Sequence, residues 1–168
     1  MNFIKHFKEK SILPLTQKNN YIYLLIIASI FFLDRYSKIK IIKNQSSENV
    51  IYLNDFINLD LVWNTGIGFG LFSSNSNIIY NSITALIGSI IIFLIFLIIK
   101  SKNIDKFFFS VILGGALGNF YDRIIYYAVP DFIDIHYQKF HWFTFNIADI
   151  FITIGIITLI INDFFKNE

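Results

Sequence analysis

The carboxylates Asp122, Asp131, Asp134 and Asp149 lie in or beside apolar stretches in the second half of the chain. Asp149 is the hardest to read as passive, because a bare carboxylate inside an apolar span needs a partner. Asp131 precedes it by 18 residues, close enough for a loop and one turn to bring the two together. Two facing carboxylates cannot both ionise easily, so such a pair shares one proton and titrates as a unit. The ionised member then activates a water, and the protonated member donates to a scissile carbonyl. Spacing alone does not choose between Asp122, Asp131 and Asp134 as the working groups. A structural or transport role for these carboxylates stays open beside a catalytic one.

Other chemistries fare worse. The chain has no cysteine, which removes disulfides, thiolate nucleophiles and Cys-bound metals. His6, His136 and His141 lack the spacing of a metal motif, so no metal site is expected. Ser37 and Lys38 are adjacent, and neighbours on a helix do not face each other as a Ser/Lys dyad would.

The elements that must position these groups are hydrophobic spans. Four are visible, at about Tyr21 to Ser37, Ile78 to Ile99, Phe107 to Tyr121 and Phe145 to Ile161. The second and fourth are long enough for a bilayer, which needs ~20 apolar residues. The first and third are shorter and end in charge, so their ends face protein or water. The first span ends in Phe31-Phe32-Leu33-Asp34 without a small-x-small site, unlike a cleaved signal peptide. Lysines 5, 8, 10 and 18 precede span one, and Lys100, Lys102 and Lys106 fill the short loop after span two. This bias predicts cytoplasmic termini, with the segments Lys38 to Asn77 and Asp122 to Thr144 outside. Trp63 and Trp142 fall in those segments and suit an interfacial belt. Alternating direction then brings Asp34, Lys38, Asn64, Asn119, Asp122, Arg123, Asn146 and Asp149 to one membrane level, the outer face.

Composition agrees. Of 168 residues, 55% are hydrophobic and 15% charged, and mean hydropathy is +0.57. That is too little polar surface for an ordinary soluble enzyme of this length, and it excludes a disordered tail or a nucleic-acid-binding domain. A net charge of +2 does not argue for an anionic partner. One integral membrane domain over residues 1–168 is the expectation. Within it, Ile57 to Asn64 alternates with period two and reads as a strand running into Gly66, Gly68 and Gly70, a sharply turning loop.

Each polar group also has a passive reading. Asp122 beside Arg123 suggests an ion pair, and Asp34 with Lys38 an i,i+4 pair. Gly114-x-x-x-Gly118 suggests close helix packing. Asp134 reads as a loop carboxylate in water, and His136 and His141 as interfacial side chains. Gly115, Asn119 and Arg123 stack on one face of span three, and Asn146, Asp149 and Thr153 make a polar stripe on span four. A small transporter or channel subunit would use such a cluster, but it predicts a polar path right through the membrane, and span two is uncharged.

At these residues the sequence resembles the lipoprotein signal peptidases (signal peptidase type II), bacterial membrane aspartyl proteases. Five blocks carry the likeness, in the family's order: Asp34-x-x-Ser37-Lys38, Asn64-Thr65-Gly66-Ile67-Gly68-Phe69, Gly114 to Arg123, Val129-Pro130-Asp131-Phe132-Ile133-Asp134, and Phe145-Asn146-Ile147-Ala148-Asp149. Together they span nearly the whole chain. Two small departures are Pro130, directly before Asp131, and Gly68, where a residue with a side chain is common. The resemblance implies four transmembrane helices, a small extracytoplasmic β-cradle and a short covering helix or loop. It implies Asp131 and Asp149 as the catalytic dyad, with Asn119, Arg123 and Asn146 orienting dyad and substrate. Asp34, Lys38, Asn64 and Gly66 would support the substrate-binding side or hold the fold. The implied substrate is a diacylglyceryl-modified prolipoprotein, cut just before its lipidated cysteine in the bacterial inner membrane. Metal and cofactor are not needed, and globomycin-like peptides are expected inhibitors.

Overall fold

A computed structural model describes residues 20–44, 50–66, 77–101 and 103–166. Four long helices and one sheet fill them: α1 (Asn20–Asn44), β1 (Ile51–Asn54), β2 (Ile57–Asn64), α2 (Asn77–Lys100), α3 (Asn103–Tyr126), β3 (Val129–Tyr137), β4 (Phe140–Phe145) and α4 (Ile147–Lys166). The strand read over Ile57 to Asn64 is β2. Gly68 and Gly70 lie outside the described residues, and no covering helix is among them.

The helices turn their polarity inward. In α1, Asp34, Arg35 and Lys38 are buried while Phe32, Leu33, Tyr36 and Ile39 are exposed. A water-soluble helix does the reverse, so lipid is the medium that suits this surface. α2 and α4 are long and apolar enough to cross a membrane. α3 is the central helix and packs against the other three. Its glycines allow the approach. A Cβ on Gly114 would stand 2.9 Å from Ile30 Cβ, and one on Gly115 would stand 2.6 Å from the Ala148 carbonyl oxygen. Gly114-x-x-x-Gly118 is therefore a packing face, as its spacing suggested. Behind it, Ile91, Leu94, Ile112 and Leu113 form the apolar core between α2 and α3.

α1 and α3 run further than their hydrophobic spans, to Asn44 and from Asn103 to Tyr126. The extra turns at the ends nearest the site hold buried charges that a hydropathy window discounts. α3 leaves through Tyr127 at φ 56°, a left-handed exit that turns the chain into β3 within two residues. The sheet is an antiparallel meander in the order β1-β2-β3-β4. In register, Asn64 faces Val129 and Val62 faces Asp131, after a bulge in β2 between Leu59 and Val62. β4 pairs with β3 only as far as Ile133. Pro130 thus has a partner strand on one side only, which a residue without an N–H tolerates. β3 also touches α1 and α3, so Asp131 is delivered to the helix ends.

Candidate active site

α4 begins with a reciprocal cap. Asn146 is the residue before its first turn, and its Oδ1 accepts from Asp149 N at 3.0 Å. Asp149 Oδ2 accepts in return from Asn146 N at 3.1 Å. This is the capping-box arrangement with Asn and Asp in place of Ser and Glu. Span four therefore starts as a helix at Ile147, two residues later than the hydrophobic pattern suggested. The same Asn146 donates through Nδ2 to Asp131 Oδ1 at 2.6 Å. One amide side chain thus joins the first turn of α4 to β3.

The two carboxylates are completed by further amides. Asn64 Nδ2 donates to Asp131 Oδ2 at 2.9 Å, and Asn119 Nδ2 donates to Asp149 Oδ1 at 2.8 Å. Asp131 is only 3% exposed. Burial, and then the Asp149 carboxylate, push the Asp131 carboxyl up to about 6, although Asn64, Asn146 and Lys38 pull the other way. Such a carboxyl holds or releases a proton near neutrality. Beside Asp149 it can do acid and base work in turn. A cleft of about 280 Å³ opens on Asp149 between Phe143, Phe145, Ile150, Thr153 and Ile154, an apolar approach to a polar pair.

Beneath this pair lies a layer of charge. Lys38 Nζ reaches Asp34 Oδ2 at 2.8 Å, Asp122 Oδ2 at 2.7 Å and Asn119 Oδ1 at 2.8 Å. Arg35 pairs with Asp122 and stands 4.6 Å from the centre of the Tyr121 ring. Asp34 Oδ1 accepts from Ala148 N at 3.0 Å, one of the free donors of α4's first turn. A Cβ on Gly118 would come within 2.5 Å of Asp34 Oδ2, so only glycine leaves room for the ion pair.

Several sequence readings need correction. Asp122 and Arg123 are adjacent but do not pair with each other. Asp122 meets Arg35 and Lys38, and Arg123 donates to the Gly66 carbonyl instead. Consecutive helix residues point about a quarter turn apart, which sends the two side chains to different neighbours. Asp134 is not in a water-filled loop. It is buried on β3, on the strand face opposite Asp131, and lies 2.7 Å from His141 Nδ1. His136 is buried too and stacks on His141 at 5.4 Å. The Asp34–Lys38 pair is present as read. Arg35 and Tyr80 also belong to the surroundings of the site. Arg35 adjoins Asp34 in the first motif block, whereas no sequence signal singled out Tyr80.

Buried charge, amide-framed carboxylates and a small sheet on helix ends suit a membrane enzyme, and solved structures described in those words share the fold. Two described as bacterial membrane enzymes match at TM-scores of 0.77 and 0.70. The first is 27% identical and covers 88% of this chain and 90% of its own length. The second is 28% identical and covers 84% and 91%. The model of the family described as signal peptidase (SPase) II matches residues 26–165. The lipoprotein signal peptidase of Pelagibacter ubique is 56% identical over 153 residues, 90% of this chain and 92% of that protein. That of Anaplasma phagocytophilum is 37% identical over 148 residues, 86% and 93%. The chain belongs to the signal peptidase II family, whose members are membrane peptidases of lipoprotein processing.

Proposed function

We propose that this chain is an aspartyl endopeptidase of the bacterial inner membrane. It removes the signal peptide from diacylglyceryl-modified prolipoproteins and cuts just before the lipidated cysteine. The observation that carries the reading is the pair Asp131 and Asp149, joined through Asn146 and provided with amide donors by Asn64 and Asn119. The ionised member takes a proton from a water as that water attacks the scissile carbonyl carbon. The protonated member donates to the carbonyl oxygen. Collapse of the tetrahedral intermediate breaks the C–N bond, with a proton returned to the leaving amine. No step runs through a metal or cofactor.

Four membrane spans in one domain, with both termini cytoplasmic, accompany this reading. α1 and α3 would complete the set begun by α2 and α4, because their buried charges face protein and their apolar faces look outward. The dyad would sit at the outer membrane face. A substrate anchored by its own lipid presents its scissile bond at that depth. Asp34, Lys38 and Gly66 support this arrangement, and Arg123 orients it. Globomycin-like peptides would compete for the same cleft.

The test is cleavage of a diacylglyceryl-modified prolipoprotein by the purified protein in detergent, beside Asp131→Asn and Asp149→Asn. Cleavage by wild type, lost in both folded variants and indifferent to chelator, is the expected result. Activity surviving in either variant would overturn the dyad assignment. No cleavage by folded wild type would overturn the function.

A further inference from the structure

We propose that Tyr80 is a positioning residue for Asp131, acting through Arg123, Gly66 and Asn64. The inference rests on the assignment of Asp131 to the dyad and goes beyond it, because Tyr80 lies on α2 and belongs to none of the five motif blocks.

The path is continuous. Tyr80 is buried in the first turn of α2. Its hydroxyl donates to the Arg123 carbonyl oxygen at 2.7 Å. That carbonyl lies in the last turn of α3. The Tyr80 ring centre stands 5.7 Å from the Arg123 guanidinium, within range of a cation–π contact. The guanidinium donates through Nη2 to the Gly66 carbonyl, while its Nε and Nη1 have no hydrogen-bond partner among the described residues. Among the described residues, one hydrogen bond, one aromatic face and the pull of the Asp131 and Asp149 carboxylates set the direction of this buried cation. Gly66 N in turn donates to Asn64 Oδ1 at 2.8 Å. With its oxygen engaged there, the Asn64 amide must present Nδ2 to Asp131, as it does at 2.9 Å.

The consequence has a definite sign. An amide donor stabilises the ionised carboxyl and holds its pKa down. Loosening Arg123 releases Gly66, and Asn64 then loses its fixed direction. The charged and titratable groups that face Asp131 are Asp149 on α4, Lys38 on α1 and Arg123 on α3. None is removed by a change at Tyr80. The pair should therefore titrate at higher pH in the absence of the Tyr80 hydroxyl.

Tyr80→Phe deletes that hydroxyl and keeps the ring. Its kcat, KM and pH profile of kcat/KM would be measured on a diacylglyceryl-modified prolipoprotein, beside wild type, Asp131→Asn, Asn64→Ala and the double variant Tyr80→Phe/Asn64→Ala. Loss of one hydrogen bond predicts a fall in kcat of ~3- to 10-fold, with KM little changed. The profile moves upward by a few tenths of a pH unit. In the Asn64→Ala background the hydroxyl has nothing left to transmit, so Tyr80→Phe adds no further shift. Wild-type kcat and profile in Tyr80→Phe would overturn the inference, even with a lowered melting temperature. So would full additivity with Asn64→Ala. Inactive Asp131→Asn with an unshifted Tyr80→Phe profile would sink this inference alone. Active Asp131→Asn would remove the dyad reading and this inference together.

Discussion

Asp34 and Asp122 meet cations, whereas Asp131 and Asp149 meet amides. The first two are fully buried and share Lys38, with Arg35 on the far side of Asp122. The second two receive their hydrogen bonds, among the described residues, from Asn64, Asn119 and Asn146. Both regions lie at one end of the same helix bundle, and both bury carboxylates. A cation offsets the charge that a buried carboxylate carries. An amide supplies direction without offsetting charge. Two carboxylates and two cations make a foundation, and two carboxylates framed by neutral donors make the pair proposed to react. Asn119 touches both, because Lys38 holds its oxygen and its Nδ2 holds Asp149.

The largest effect that sharpens this contrast is on the reaction. Asp131→Asn and Asp149→Asn each remove one member of the proposed dyad. Cleavage should fall by at least ~1000-fold in either, with the fold retained. Asp122→Asn tests the other side and should instead act on stability. It leaves Arg35 and Lys38 buried with one carboxylate fewer, a defect of roughly 3–5 kcal/mol. Thermal unfolding in detergent would read that loss. Equal stability of Asp122→Asn and wild type would refute the foundation role.

Much of this contrast was legible in the sequence, for a physical reason. Charge and amide groups in or beside apolar stretches are expensive enough to stand out singly, so Asp34, Lys38, Asn119, Asp122, Arg123, Asn146 and Asp149 announced themselves. The expected alternation of spans put them at one level. Pairing was less legible. Asp122 and Arg123 looked like partners because they are adjacent, but partners follow helix faces and packing angles. Burial of Asp134 depended on strand register, which one sequence does not fix. Tyr80 left no signal at all, since an aromatic residue at a helix start is ordinary until Arg123 is seen above it. The helix ends of α1 and α3 were missed for the converse reason, as the inward charges there lower the apparent hydropathy of true helix.

A smaller effect separates the two regions through pH. Asp131 has its carboxyl raised from 3.8 to about 6. A raised acid favours its neutral form in the fold. The stability this gives is complete below pH ~4 and is lost as pH rises through about 6. The difference between the unfolded and folded carboxyl corresponds to roughly 2–3 kcal/mol. Asp131→Asn imitates the neutral form, so it should gain stability relative to wild type at pH ~7.5, and that gain should vanish near pH ~4. Melting curves of the two proteins at both pH values would show it. A difference independent of pH would mean that the Asp131 carboxyl does not titrate in this window.

The smallest predicted effect belongs to a third kind of carboxylate. Asp134 lies three residues after Asp131, and its hydrogen-bond partner is an imidazole. It is buried like Asp131, yet it lies across the sheet from Asp149. If burial alone made a carboxylate reactive, Asp134 would matter to cleavage as much as its neighbour on the strand. If framing and the second carboxylate matter, it would not. His141 is more than half exposed, so water replaces much of what its ring supplies, and the contact is worth about 1 kcal/mol or less. His141→Gln should therefore lower the melting temperature by a few degrees at most. Asp134→Asn, which keeps an acceptor for the ring, should leave cleavage within about twofold of wild type, because every donor to Asp131 and Asp149 stays in place. A loss of cleavage in Asp134→Asn comparable to that in Asp131→Asn would break the comparison at its root, because reactivity would then follow depth in the sheet and not the company each carboxylate keeps.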